Sequence, residues 1–147
     1  MPPSLISLNL IICEKILREA DGVLSIIRIA DIFYHPPRPD IPIEQQSIVI
    51  SVLAIGKFNL EDTSEHSLQL RLARPDGTTD DVGESIRLAL SEIETKIPDA
   101  PRGFNVIAQF GVIPKHMGTH YMTLVIDGEE VARTPFTLSE KIPETKG

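Results

Sequence analysis

Apolar residues at every second position, in run after run, constrain this chain more than any other feature of its sequence. Phe104, Val106, Ala108, Phe110 and Val112 form the longest such stripe. Leu68, Leu70 and Leu72 make a second, Ile86, Leu88 and Leu90 a third, Met122, Leu124 and Ile126 a fourth, and Thr134, Phe136 and Leu138 a fifth. Period-two alternation puts one set of side chains on one face of a pleated strand and leaves the polar set on the other. Turn chemistry separates the stripes. Arg74-Pro75-Asp76-Gly77-Thr78 offers Pro at a fixed φ and Gly where φ turns positive, and Asp127-Gly128 reads as a tight hairpin. About eight short strands with turns between them predict an all-β chain, an antiparallel two-sheet sandwich of Greek-key type. At 147 residues, such a chain buries about 68–70% of its unfolded surface and needs no metal or disulfide for its core. One domain over residues 1–139 and a flexible tail over 140–147 are expected.

Three runs are apolar on both faces: Leu5–Cys13, Val23–Tyr34 and Ser47–Phe58. Such a strand is buried on both sides or meets a partner. The stripe changes phase near Ile26-Ile27, which predicts a bulge there. Glu14–Ala20 is rich in helix formers and predicts at most one short helix. Ser85–Lys96 fits strand or helix, and the strand reading is preferred.

Net charge is −7, and no three basic residues are adjacent, so nucleic acid and anionic membranes are not expected partners. No basic region precedes the apolar Leu5–Cys13 run, so no signal peptide is read, and no stretch is long enough to span a bilayer. The single Cys13 points to a reducing, cytoplasmic setting, and in an apolar strand it reads as an inert small hydrophobe.

Several segments carry the resemblance of this chain to a known group. They are Ile12-Cys13-Glu14, then Gly22 to Asp31 (GVLSIIRIAD), Arg74 to Gly77, and Asp127 to Phe136 (DGEEVARTPF). On these the chain resembles an uncharacterised bacterial family of small β-sandwich proteins known only as a domain of unknown function. The final hairpin is similar to immunoglobulin-like domains, although Gly118-Thr119-His120-Tyr121 places His where those domains carry Tyr. The resemblance implies the fold and no activity.

Candidate chemistry is sparse. His116 and His120 have helical metal-pair spacing, but Pro114 and Gly118 preclude the helix. Asp76, Asp80 and Asp81, with Glu84, are the weak Ca²⁺ candidates, set against a plain solvated turn. No nucleophile elbow, phosphate loop or zincin motif occurs, so no catalytic residue and no cofactor is expected. The segment Tyr34 to Pro42, with four prolines, reads as a stiff crossover between sheets or a ligand for a Pro-recognising groove. In Ser47–Phe58, if Ile48, Ile50, Val52 and Ala54 point inward, then Val49, Leu53 and Ile55 point outward. These three, rimmed by Arg38 and Asp40, predict a contact surface for a protein partner or a second copy. The alternatives are an intramolecular cover for that face, and a ligand- or Ca²⁺-binding domain working through end loops.

Overall fold

The computed structural model describes residues 2–94, 97 and 99–140. Among the described residues the chain is all-β, in two sheets, with nine strands where about eight were expected. They are β1 (Leu5–Arg18), β2 (Leu24–Ile29), β3 (Ile32–Tyr34), β4 (Ile48–Phe58), β5 (Glu65–Ala73), β6 (Thr79–Ala89), β7 (Arg102–Val112), β8 (Gly118–Ile126) and β9 (Glu129–Ser139). The first sheet runs β2-β1-β4-β7 and is antiparallel throughout. The second runs β3-β9-β8-β5-β6, and it departs from the expected pattern at β3, which pairs parallel to β9.

Alternation decides which side chains meet. Ile50, Val52, Ala54 and Phe58 of β4 are 0% exposed and join Leu68, Met122, Leu124, Ile126, Phe136 and Leu138 of the second sheet in one cluster. Each of these side chains larger than Ala54 contributes about 1.5–3 kcal/mol by leaving water. Between the layers, the Thr134 hydroxyl donates to the Leu10 carbonyl at 2.9 Å. Gly56 sits where β4 passes Phe104; a Cβ there would lie 2.5 Å from the Phe104 ring. Only glycine admits that ring.

Three local expectations are corrected. Glu14–Ala20 forms no helix: β1 continues to Arg18, because β2 pairs with it from Arg18↔Leu24 to Cys13↔Ile29. Tertiary pairing outweighs weak helix propensity. The register of β2 is regular through Ile26 and Ile27, and the distortion falls at Arg28, with φ +54°. Strand β6 ends at Ala89 and gives way to a 3₁₀ turn over Leu90–Glu92, so the strand reading holds for the first part of Ser85–Lys96; Thr95 and Lys96 lie outside the described residues. The same is true of 141–147 in the expected tail. The Asp127-Gly128 hairpin forms as expected, both residues taking positive φ (52° and 82°) between β8 and β9.

Candidate functional site

The register of the first sheet assembles its outer face rung by rung. Ile11, Leu53 and Ile107 lie directly opposite one another across β1, β4 and β7, as do Asn9, Ile55 and Asn105. Ile29, Cys13, Ser51 and Gln109 make a third rung, and Val49 faces Gly111. Directly opposed residues share a face. Ile29 is 73% exposed, Val49 53%, Ile107 41%, Ile27 38% and Ile55 36%. The charges on these rungs are the lysines Lys15, opposite Ile27, and Lys57, opposite Ser7; beyond the Ile27 rung the Glu19 carboxylate accepts from the Ser25 hydroxyl at 2.8 Å, and among the described residues the rungs themselves hold no carboxylate.

Of the residues expected on this surface, Val49 and Ile55 are exposed there. Leu53 is not: it shares their face by alternation but is only 1% exposed, enclosed with Ile11 and Ile107 on either side. It supports the face from beneath, and Leu53→Asp would test folding and not contact. Ile27, Ile29 and Ile107 were missed, because only strand pairing sets β2 beside β1 and β7 beside β4 in one sheet. Arg38 and Asp40 are exposed and face each other at 3.9 Å. Their segment joins β3 of the second sheet to β4 of the first, so the Pro-rich stretch is a crossover between sheets. Buried Gln46 braces it, donating to the Arg38 carbonyl at 3.2 Å and to the Ile41 carbonyl at 2.8 Å, with His35 Nε2 2.6 Å from its Oε1. The segment enters β4 at the Val49 end, away from Ile55. Neither expected intramolecular cover is in place over the rungs: 14–18 extends the sheet itself, and the crossover packs toward Pro114 and Met117.

A polar cluster closes the end of the molecule where β4 meets β5. His66, 7% exposed, stacks on Phe58 with centroids 4.7 Å apart. Its Nδ1 lies 2.5 Å from Asp127 Oδ2 and its Nε2 2.8 Å from Asp62 Oδ2. Ser4 and Ser64 also donate to Asp62, and the Ser67 amide donates to Asp127 at 2.9 Å. Burial works against the charged imidazole, but the two carboxylates outweigh it and raise the His66 pKa. Burial likewise opposes ionisation of Asp62 and Asp127, and hydrogen bonds from the serines, the backbone and His66 hold both below the ordinary range. Ser64 Oγ sits 3.2 Å from Nε2, a spacing reminiscent of a nucleophile and its base. Asp62 is closer to the same nitrogen and keeps it protonated, so the ring has no lone pair to take the serine proton. The cluster ties the 59–64 loop to the β8–β9 turn.

The remaining candidates stand apart. Asp76 accepts from the Thr78 hydroxyl and amide and lies 3.4 Å from His116. Asp80 pairs with Arg74, and Asp81 with Arg71 at 3.1 Å. Each acid of the expected Ca²⁺ trio thus has its own basic partner, and among the described residues no group of three or more His, Cys, Asp or Glu side chains is placed to hold a metal ion. His120 is 1% exposed and stacks on Phe136, away from any metal-pair geometry with His116. Cys13 is 0% exposed, and burial pushes its thiol pKa up. No helix among the described residues is long and apolar enough to cross a membrane.

Comparison with known proteins gives one family. Residues 8–139 match the model described as a family of unknown function, DUF6941. None of the curated proteins matches the chain. Among solved structures, the chain is similar to the alkylpurine DNA glycosylase AlkC of Pseudomonas fluorescens bound to DNA containing an abasic site analog, at 12% identity and a TM-score of 0.44. That match covers 62% of this chain and 26% of the glycosylase, and a likeness so low carries no argument about fold or function.

Proposed function

We propose that this chain, which belongs to the DUF6941 family, is a non-enzymatic module that works through protein–protein contact on the outer face of its first sheet. One observation carries the reading: Ile27, Ile29, Val49, Ile55 and Ile107 lie exposed on one face, on paired rungs that hold no carboxylate among the described residues. Contiguous apolar surface of this kind is a liability in a monomer unless a partner covers it. In this reading the two layers make an immunoglobulin-like sandwich with Greek-key-type connections, in a bacterial cytoplasmic protein, and Arg38 and Asp40 form the polar rim at the Val49 end. The test is a double variant, Val49→Asp with Ile29→Asp, checked for folding by circular dichroism. Size-exclusion chromatography with light scattering and cross-linking in host extract then compare it with the unaltered chain. Loss of the associations seen with the unaltered chain supports the reading. Retention of all of them, or their absence from both, overturns it.

A further inference from the structure

Strand β7 is the open edge of the first sheet: it pairs with β4 on one side, and its other side meets no hydrogen-bonded strand among the described residues. Strand β6, the corresponding edge of the second sheet, does not close over it. A cavity of about 360 Å³ separates the two, lined by Val82, Glu84 and Ile86 from one side and Val106, Ile107 and Ala108 from the other. Natural edge strands carry protection against pairing: short length, bulges, proline or charge. Strand β2 is six residues long with Arg28 at positive φ, and β3 has three residues. Strand β6 has a register shift opposite Leu68 and Leu70, Gly83 at φ +71°, and Asp80, Asp81, Glu84 and Arg87 along it. After its first residue, Arg102, strand β7 has none of these devices. All eleven of its residues stay in register with β4, and from Gly103 to Val112 it holds neither proline nor charge.

The sequence of β7 also reads nearly the same in both directions about Ile107. Gly103 is matched by Gly111, Phe104 by Phe110, Asn105 by Gln109, and Val106 by Ala108. Antiparallel pairing reverses one strand against the other, so a two-fold axis at Ile107 would oppose like with like. The buried face would pair Phe104 with Phe110 and Val106 with Ala108. The outer face would pair Asn105 with Gln109, two amides able to hydrogen-bond, and Ile107 with its own copy. We infer that β7 is a homodimerisation edge, pairing antiparallel with β7 of a second copy about Ile107 to give a continuous eight-stranded sheet. This rests on the contact reading above and names the partner: the same chain, joined edge to edge.

The geometry sets the test. Ile107 would lie opposite itself, about 4.5–5.5 Å apart between Cα atoms, within disulfide reach. Val49, one strand further in and level with Gly111, would be separated from its copy by three strand spacings, about 14 Å, across the sheet and by eight residues, about 27 Å, along it. Ile107→Cys is therefore expected to cross-link on mild oxidation and Val49→Cys is not. Ile107→Glu and Ile107→Lys each place like charges face to face and are expected to weaken dimerisation about 100-fold in light scattering, while their mixture restores the dimer. The mixture also guards against misfolding, since an unfolded variant would not be rescued. Cross-linking through Val49→Cys but not Ile107→Cys would mean face-to-face assembly, overturning this inference while sparing the contact reading. A monomer at all concentrations overturns it as well, and leaves the contact reading to the extract experiment. A dimer indifferent to Ile107 and Val49 alike overturns both.

Discussion

Two buried histidines, each stacked on a core phenylalanine, show how little the residue type says about charge. His66 lies over Phe58 at 4.7 Å and 15°, and His120 over Phe136 at 5.2 Å and 19°. The stacking is alike; the polar surroundings are not. His66 has a carboxylate on each ring nitrogen, and its pKa is raised. His120 is buried with the Gly118 carbonyl 3.1 Å from Nδ1, and burial lowers its pKa. One histidine is held as a cation that ties two loops to the core, and the other is a neutral aromatic filler. Hydrogen-bond partners brought in from distant sequence decide between the two roles.

Replacing each by phenylalanine separates the roles. His66→Phe keeps the ring over Phe58 but leaves Asp62 and Asp127 facing an apolar edge. Asp62 is nearly buried, with 10% of its side chain exposed, so this variant carries the largest expected loss, about 3 kcal/mol in urea unfolding. A loss under 1 kcal/mol would show that water satisfies both acids and that the clasp is dispensable. Asp127→Asn has a smaller expected cost of about 1 kcal/mol, since the Asp127 side chain is 45% exposed and solvent screens its charge. Its second signature is in pH. A histidine with a raised folded pKa stabilises fully below its unfolded value near 6.5, and that contribution is lost as pH rises through the folded value. Urea midpoints of the unaltered chain should therefore fall above about pH 6.5, and Asp127→Asn should flatten the slope. An unchanged slope would place the titrating group elsewhere.

How much of this was legible beforehand depends on the range of the interactions. The stripes at Phe104–Val112 and Met122–Ile126, and the turns at Gly77 and Gly128, are local, and the sequence reading of them matches the structure. So is the palindrome about Ile107, although it gains meaning only once β7 is known to be an edge. Leu53 was misjudged because alternation reports which face a residue takes, not how deeply its neighbours enclose it. The 14–20 segment was misjudged because its partner strand, β2, outweighs its helix propensity. The His66 clasp joins residues 61 positions apart, and Asp127 read simply as a turn former. The one local hint was Asp62-x-Ser64-x-His66, running from the 59–64 loop into β5, a spacing that carries no specificity by itself.

The smallest expected effect belongs to His120→Phe, and it sharpens the comparison because the two histidines should answer pH with opposite sign. Its ring is 1% exposed and neutral, so phenylalanine preserves the volume and the stack on Phe136. The cost is the neutral bond to the Gly118 carbonyl, about 0.5 kcal/mol at pH 8. A depressed folded pKa means that stability is present above the unfolded value near 6.5 and is lost as pH falls through the folded one. Removing the imidazole removes that acid-side loss, so the variant should approach or exceed the unaltered chain at pH 5. The same substitution at His66 should do the reverse, with its deficit greatest on the acid side, where the unaltered ring is charged and clasped. Urea midpoints at pH 5 and pH 8 for both variants give four numbers. If both deficits grow toward acid, His120 is charged in the folded chain, and the contrast between the two sites fails.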